Sequence, residues 1–189
     1  MNEDRNYFAH SSAFIEDNVT IGDNTKVWHQ VQIRTGAKIG KNCIFGKSVF
    51  IDTNVSIGNN VKVQNFVSIY QGVTIEDNVF VGPHVCFTND LLPRATNQDW
   101  ELIKTLIKKG ASIGANSTII CGLTVGEYSM IGAGSLVSKD VPSFALVFGN
   151  PARLNGYVCY CGNIVEKTTS ILPEGTKLSC KKCKKEIIL

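Results

Sequence analysis

Apolar residues recur along this chain with a period of six. From Ile15 the steps land on Ile21, Val27, Ile33, Ile39, Phe45, Ile51, Ile57, Val63, Ile69, Ile75, Val81 and Phe87 without meeting a polar residue. The chain is 43% apolar, so chance gives such a run in one phase at roughly 2 in 100,000. A period of six matches neither the 3.6 of a helix nor the 2.0 of a simple strand. It is the mark of a solenoid built from hexapeptides.

The position two residues before each of these is small or β-branched: Ala13, Val19, Thr25, Val31, Ala37, Cys43, Val49, Val55, Val61, Val67, Val73, Val79 and Val85. Residues two apart in extended chain share a face, so both point inward, and Val and Ile favour strand. Three residues after the apolar position stand Asn18, Asn24, Gly36, Asn42, Asn54, Asn60, Gly72 and Asn78. These types tolerate left-handed backbone at low cost. Each hexapeptide is therefore a short strand and a corner, and three of them close a triangular coil of eighteen residues, stacked on the next at about 4.8 Å.

The phase breaks after Phe87. A second run follows at Ile113, Ile119, Val125, Ile131 and Val137. The eighteen repeat positions predict six coils, with a loop ejected over residues 88–110. Such an insertion projects from one face of a solenoid and is a common seat of function; the alternative is a plain surface loop with Trp100 and Leu102 folded onto the wall. Residues 1–12 form an entry segment in which Tyr7 and Phe8 are placed to cover the open end. The repeat domain spans 13–153. Pro142 removes a ladder donor and predicts the end of the sheet. Residues 154–189 form a Cys-rich tail.

Composition narrows the partners. A net charge of +3 over 189 residues gives no reason to expect nucleic acid. No apolar run approaches the length of a membrane span, and the polar start Met1–His10 lacks a signal peptide's apolar region. A cytoplasmic protein is expected. Cys43, at an inward position, reads as a small buried apolar residue.

The chain has three histidines. His10 lies ahead of the repeats. His84 sits at the corner of VGPHVCFTND, at the root of the insertion, where an outward imidazole is a fair general base; the alternative is that it only fills a corner used elsewhere by Asn. His29 also faces outward. Steps of eighteen place His29, Lys47, Asn65 and Pro83 in one column, a polar stripe suited to a ligand or to another subunit.

The hexapeptides resemble those of the acyltransferases built as left-handed parallel β-helices, and the handedness is taken from that resemblance. The segment NFVSIYQGVTIEDNVFVGPHVCFTNDLLPRA, starting at Asn65, resembles a branch of that family: N-acyltransferases acting on the 3-amino group of dTDP- or UDP-linked 3-amino sugars that feed surface glycans such as lipopolysaccharide. The resemblance spans roughly residues 10–155. It implies that His84 assists deprotonation of the sugar amine and that Asn65, Tyr70, Asn89 and Arg94 line the sugar and phosphate site. Arg94 is chemically apt, since a guanidinium pairs with phosphate or carboxylate through two hydrogen bonds. The resemblance further implies a homotrimer with the site between subunits and acetyl-CoA as co-substrate along the later coils. Backbone amides near Gly114, Ala115, Gly132 and Ala133 would meet the pantetheine arm, and Pro151 and Arg153, in the exit turn, the nucleotide end. Two other readings are a non-catalytic scaffold and, on the same fold, a carbonic-anhydrase-like hydratase needing three clustered histidines.

The tail carries a separate signal. Cys159 and Cys161 form a CxC pair, and eighteen residues later Cys180 and Cys183 form a CxxC pair. Four cysteines in two close pairs suit a tetrahedral zinc ribbon. Disulfides or free thiols are the alternatives, and a cytosolic setting disfavours the former. Lys177, Lys181, Lys182, Lys184 and Lys185 make the tail basic, which reads as a solubilising cap on the last coil.

Overall fold

The computed structural model describes residues 6–97 and 99–189. Those residues form strands, turns and corners and no helix. Three parallel sheets make the walls of a β-solenoid. The first wall stacks eight parallel strands from Phe8–Ala9 to Ala145–Gly149, the second seven from Phe14–Ile15 to Leu136–Val137, and the third six from Thr20–Ile21 to Thr124–Val125. Pairing joins residues eighteen apart, as in Lys26 with Ile44 and Ile33 with Ile51. The inward pair of each hexapeptide fills the interior, and Val27, Phe45, Val63, Phe87 and Ile113 are fully buried. The corners use left-handed backbone as the Asn pattern predicts, with Asn18, Asn42, Asn78 and Asn116 at φ between 57° and 61°.

The solenoid is longer than six coils, reaching about eight turns along its tallest wall. Two rungs of the first wall were hidden at the ends. Phe8–Ala9 pairs with Lys26–Val27, so the described end of the entry segment already belongs to the stack, and His10 occupies its first corner rather than lying outside it; residues 1–5 lie outside the described residues. At the far end Val141 bridges Val125, and after Pro142 the strand Ala145–Gly149 pairs in parallel with Met130–Ile131. Pro142 does not end the sheet because it falls at a corner, where no ladder donor is required. The strand Ala152–Val158 then folds back antiparallel on Ala145–Gly149, passing through the expected 153/154 boundary.

The projecting loop is also shorter than residues 88–110. Thr105–Ile107 pairs with Val73–Ile75, a separation of 32 residues where the regular coil has eighteen, so fourteen residues are inserted and the excursion covers 88–104. The second run thus begins at Ile107. Thr105 obscures the return because it is a polar residue at an inward position; it is buried, and its hydroxyl accepts the Gly122 amide at 3.2 Å. The loop neck is closed by the Ile103 amide donating to the Asn89 carbonyl at 3.4 Å.

Candidate functional site

The expected site residues fall on two edges of the triangle. The first corner, between walls one and two, carries residues 28–30, 46–48, 64–66, 82–84, 114–116 and 132–134 on successive rungs. His29, Asn65, His84, Gly114, Ala115, Gly132 and Ala133 therefore share one edge. The second corner, between walls two and three, carries Tyr70 and the loop with Asn89 and Arg94. One strand, Cys86–Phe87, separates His84 from Asn89, a five-residue step of about 18 Å at most. Within one chain the two groups line opposite ends of a wall.

His84 is held by its backbone. Its φ is 59°, and its amide donates to the Asn65 carbonyl at 3.1 Å. The imidazole is exposed and stacks on Phe66, with ring centroids 5.0 Å apart and planes 17° from parallel. The Lys47 ammonium lies 5.6 Å from the centre of the same Phe66 ring. One rung lower, the Lys47 amide donates to Asn65 Oδ1 at 2.8 Å. The Asn65 carbonyl oxygen is thus occupied, and its NH₂ is the group left to meet a ligand. A shallow cleft of about 370 Å³ runs along this edge, lined by Trp28, His29, Lys47, Gln64 and Asn65 among others. At its lower end His10 and His29 stack at 3.6 Å, and the His10 ring meets the Ser12 hydroxyl at 2.8 Å. His84 stands three rungs above His29, about 14 Å away at the usual strand spacing, so this chain alone does not gather the three histidines a hydratase needs.

Phe66 was not singled out by the sequence, although a signal existed. Left-handed corners are filled by Asn or Gly on most rungs, but Gln30, Ser48, Phe66 and His84, eighteen apart, adopt φ of 57–59° without being either. Non-Gly, non-Asn residues in this region cost about 1 kcal/mol or more each, and such strain gathers at functional sites.

The upper rungs differ in their amides. Lower on this edge the Asn65 side-chain oxygen caps the Lys47 N–H at 2.8 Å, and at the third corner side-chain oxygens of Asn59 and Asp77 cap Lys41 and Asn59 in the same way, at 2.9 and 2.6 Å. At Ala115 and Ala133 no side chain can reach back, and their N–H groups donate to no acceptor among the described residues. Ala115 is partly exposed and Ala133 exposed. These are open donors for an acyl or amide carbonyl, whereas the amides of Gly114 and Gly132 are spent on Ile131 and Val147.

On the second corner Tyr70 packs edge-on against Phe50 at 5.9 Å. The exposed Arg94 guanidinium bonds the carbonyl of its neighbour Pro93 at 2.9 Å and keeps its other donors outward. Pro151 and Arg153 lie at the turn between Ala145–Gly149 and Ala152–Val158; Arg153 borders a cleft of about 240 Å³ with Val137, Lys139 and Ile171.

Burial pushes the Cys43 thiol up, in keeping with an inert core residue. Hydrogen bonding to Lys41 holds Asp23 below the ordinary carboxylate value. In the tail, burial pushes Cys159 up to about 12, while the Cys183 amide brings Cys180 down to about 6.

The fold and edge chemistry define a hexapeptide-repeat transferase. The bacterial transferase hexapeptide family (six repeats) matches residues 12–53 and 54–89, and the hexapeptide repeat of succinyl-transferase matches 36–71 and 106–139. The chain is 54% identical over 154 residues to the dTDP-3-amino-3,6-dideoxy-alpha-D-galactopyranose 3-N-acetyltransferase of Aneurinibacillus thermoaerophilus, covering 82% of this chain and 80% of that protein. The chain belongs to the hexapeptide-repeat transferase family. Among solved structures, a hexapeptide-repeat acetyltransferase of Vibrio cholerae complexed with acetyl-CoA is 28% identical, with a TM-score of 0.50 over 65% of this chain and 70% of that one. A variant of the GDP-perosamine N-acetyltransferase of Caulobacter crescentus, in complex with CoA and GDP-perosamine, shares the fold at 19% identity and a TM-score of 0.55, over 79% of this chain and 56% of that one.

Proposed function

We propose that this chain transfers the acetyl group of acetyl-CoA to the 3-amino group of a dTDP-linked 3-amino-3,6-dideoxyhexose. The observation that carries this reading is the 54% identity, over four-fifths of both chains, to an enzyme of that activity. The edge chemistry supports it. A neutral amine attacks the thioester carbonyl, a C–N bond forms, and the tetrahedral oxyanion collapses with release of CoA thiolate. The amine must lose a proton along the way, since an ammonium has no lone pair. The exposed His84 ring, fixed over Phe66, is the acceptor, and it returns the proton to the departing thiolate. The free amides of Ala115 and Ala133 lie one and two rungs above His84 and suit the pantetheine arm or the oxyanion. Zinc-assisted or covalent chemistry is not needed for this route.

Tyr70, Asn89 and Arg94 lie a wall away from His84 in the same chain. The trimer resolves this if the loop edge of one protomer meets the His84 edge of its neighbour. The apolar loop side chains Leu91, Leu92 and Trp100 are exposed in the single chain, as expected of a contact surface. No helix among the described residues is long and apolar enough to cross a membrane; a cytoplasmic enzyme, supplied with acetyl-CoA there, is the proposed setting.

The test is thiol release from acetyl-CoA against a panel of dTDP- and UDP-linked 3-amino sugars. Turnover with the dTDP-linked 3-amino-3,6-dideoxyhexose is expected, and no turnover with any member overturns the assignment. Sedimentation equilibrium should give three times the chain mass of 20.6 kDa; a monomer at micromolar concentration rules out the shared site.

A further inference from the structure

The acetyl transfer leaves the tail unexplained. Beyond Cys159, the only buried residues are Cys180 and Ile187. The strand Ile164–Glu166 pairs with Tyr157 and Val158 at the end of the first wall's sheet; beyond it the tail has a single hairpin, Lys177–Ser179 with Glu186–Ile188, and an isolated two-stranded hairpin is marginal in water. Thirty residues with so little core need another source of order, and small appendages of this kind find it in a disulfide or a metal.

The cysteines supply the place. The Sγ atoms of Cys159, Cys161, Cys180 and Cys183 all lie within 4.8 Å of one another. Cys159 and Cys183 are 3.4 Å apart, Cys161 and Cys180 3.7 Å. Four thiolates around one zinc at about 2.3 Å place their sulfurs roughly 3.8 Å apart, whereas a disulfide needs about 2.05 Å. Both knuckles are wound as ligand turns: the Gly162 amide donates to the Cys159 carbonyl at 2.8 Å and the Lys184 amide to the Cys180 carbonyl at 2.9 Å. A zinc tetrathiolate carries two net negative charges. Lys181, Lys182, Lys184 and Lys185 flank it, with one acidic residue, Glu186, beside them. That excess of ammonium groups offsets a charged centre and has no counterpart in a pair of disulfides.

We infer that Cys159, Cys161, Cys180 and Cys183 bind one structural zinc ion that fastens the tail over the last coil of the solenoid. The metal joins two segments that touch different things. Tyr160, between the first two ligands, packs edge-on against Tyr128 at 4.7 Å and Phe144 at 5.1 Å, both on the final coils. The second pair belongs to the hairpin. Cys159 and Cys180 are 2% exposed and pack with the core. The ion therefore clips the hairpin to Tyr160 and covers the end of the stack, where an uncapped edge would be a pairing hazard. Binding releases the thiol protons and leaves the metal's redox state unchanged.

The test uses the full chain, purified without an affinity tag that binds metal. Elemental analysis should find one zinc per chain, and Co²⁺ exchanged into the site should give the intense d–d and thiolate charge-transfer bands of a tetrahedral sulfur site. Chelation should open residues 160–189 to protease at least tenfold faster while the coils stay protected. Cys183→Ser should lose the metal and Cys183→His, a permitted zinc ligand, should regain it. Zinc below 0.2 per chain in reduced, zinc-supplied protein overturns the inference, as does a mass deficit showing two disulfides, or a tail equally protected after the metal is removed. None of these readouts depends on acyl transfer.

Discussion

The His84→Asn enzyme is expected to turn over acetyl-CoA about 10²–10⁴-fold more slowly than the native protein, the usual worth of general-base help. The change should fall on kcat, with KM for both substrates within about threefold, because the amine binds before it loses its proton. Asn is the informative replacement. The residue sits at φ 59° in a slot that Asn18, Asn42, Asn78 and Asn116 fill on other rungs, so the corner is satisfied while the base is lost. His84→Ala would mix the chemical effect with about 1 kcal/mol of left-handed backbone strain. If His84→Asn retains turnover within threefold, His84 only fills the corner and the proton leaves by another route.

Phe87→Ala is expected to lower stability by about 3–5 kcal/mol, the range for truncating a buried aromatic. Phe87 has no exposed surface and sits on the rung below Ile119, with which it is paired. Its loss opens a void at the root of the projecting loop, where the stack above can settle only by breaking eighteen-residue register. Solenoid stability is a sum of neighbouring-rung terms, so the defect should also raise amide exchange in Thr88 and Ile120 before the distant coils respond. Urea midpoints measure the loss, and the exposed neighbour in Cys86→Ala should shift by less than about 0.5 kcal/mol. A Phe87→Ala effect below 1 kcal/mol means that the coils repack freely.

The fold was legible because the six-residue repeat is a local rule. Each hexapeptide independently says strand, then corner, and stacking follows. It was misread where local identity and geometric role part company. Ala9 is apolar and in phase, but the polar context of residues 1–12 concealed the first coil. Thr105 is polar but buried, because its hydroxyl is satisfied by the Gly122 amide; that concealed the return of the loop and stretched it to residue 110. Pro142 breaks a ladder and yet sits harmlessly at a corner.

The site was legible in part for the same reason. Column arithmetic alone put His29, Lys47 and Asn65 on one edge. It could not say that Asn65 spends its oxygen on the Lys47 amide, or that Phe66 supports the His84 ring, because these depend on side-chain direction at a left-handed corner. Nor could it separate the free amides of Ala115 and Ala133 from the spent ones of Gly114 and Gly132, since that depends on which acceptors the next rung supplies.

The sequence by itself determined the wall and corner positions, the insertion after Phe87, the outward placement of His84 and the two cysteine pairs. Each follows from a period or a spacing, which needs no knowledge of distant residues. Only the tertiary structure decided that the loop and His84 occupy different edges of one chain, that the stack runs about eight turns, and that four cysteines separated by up to 24 positions bring their sulfurs within 4.8 Å. Those facts depend on where the chain crosses itself, and a crossing is set by the sum of all the turns before it rather than by any one of them.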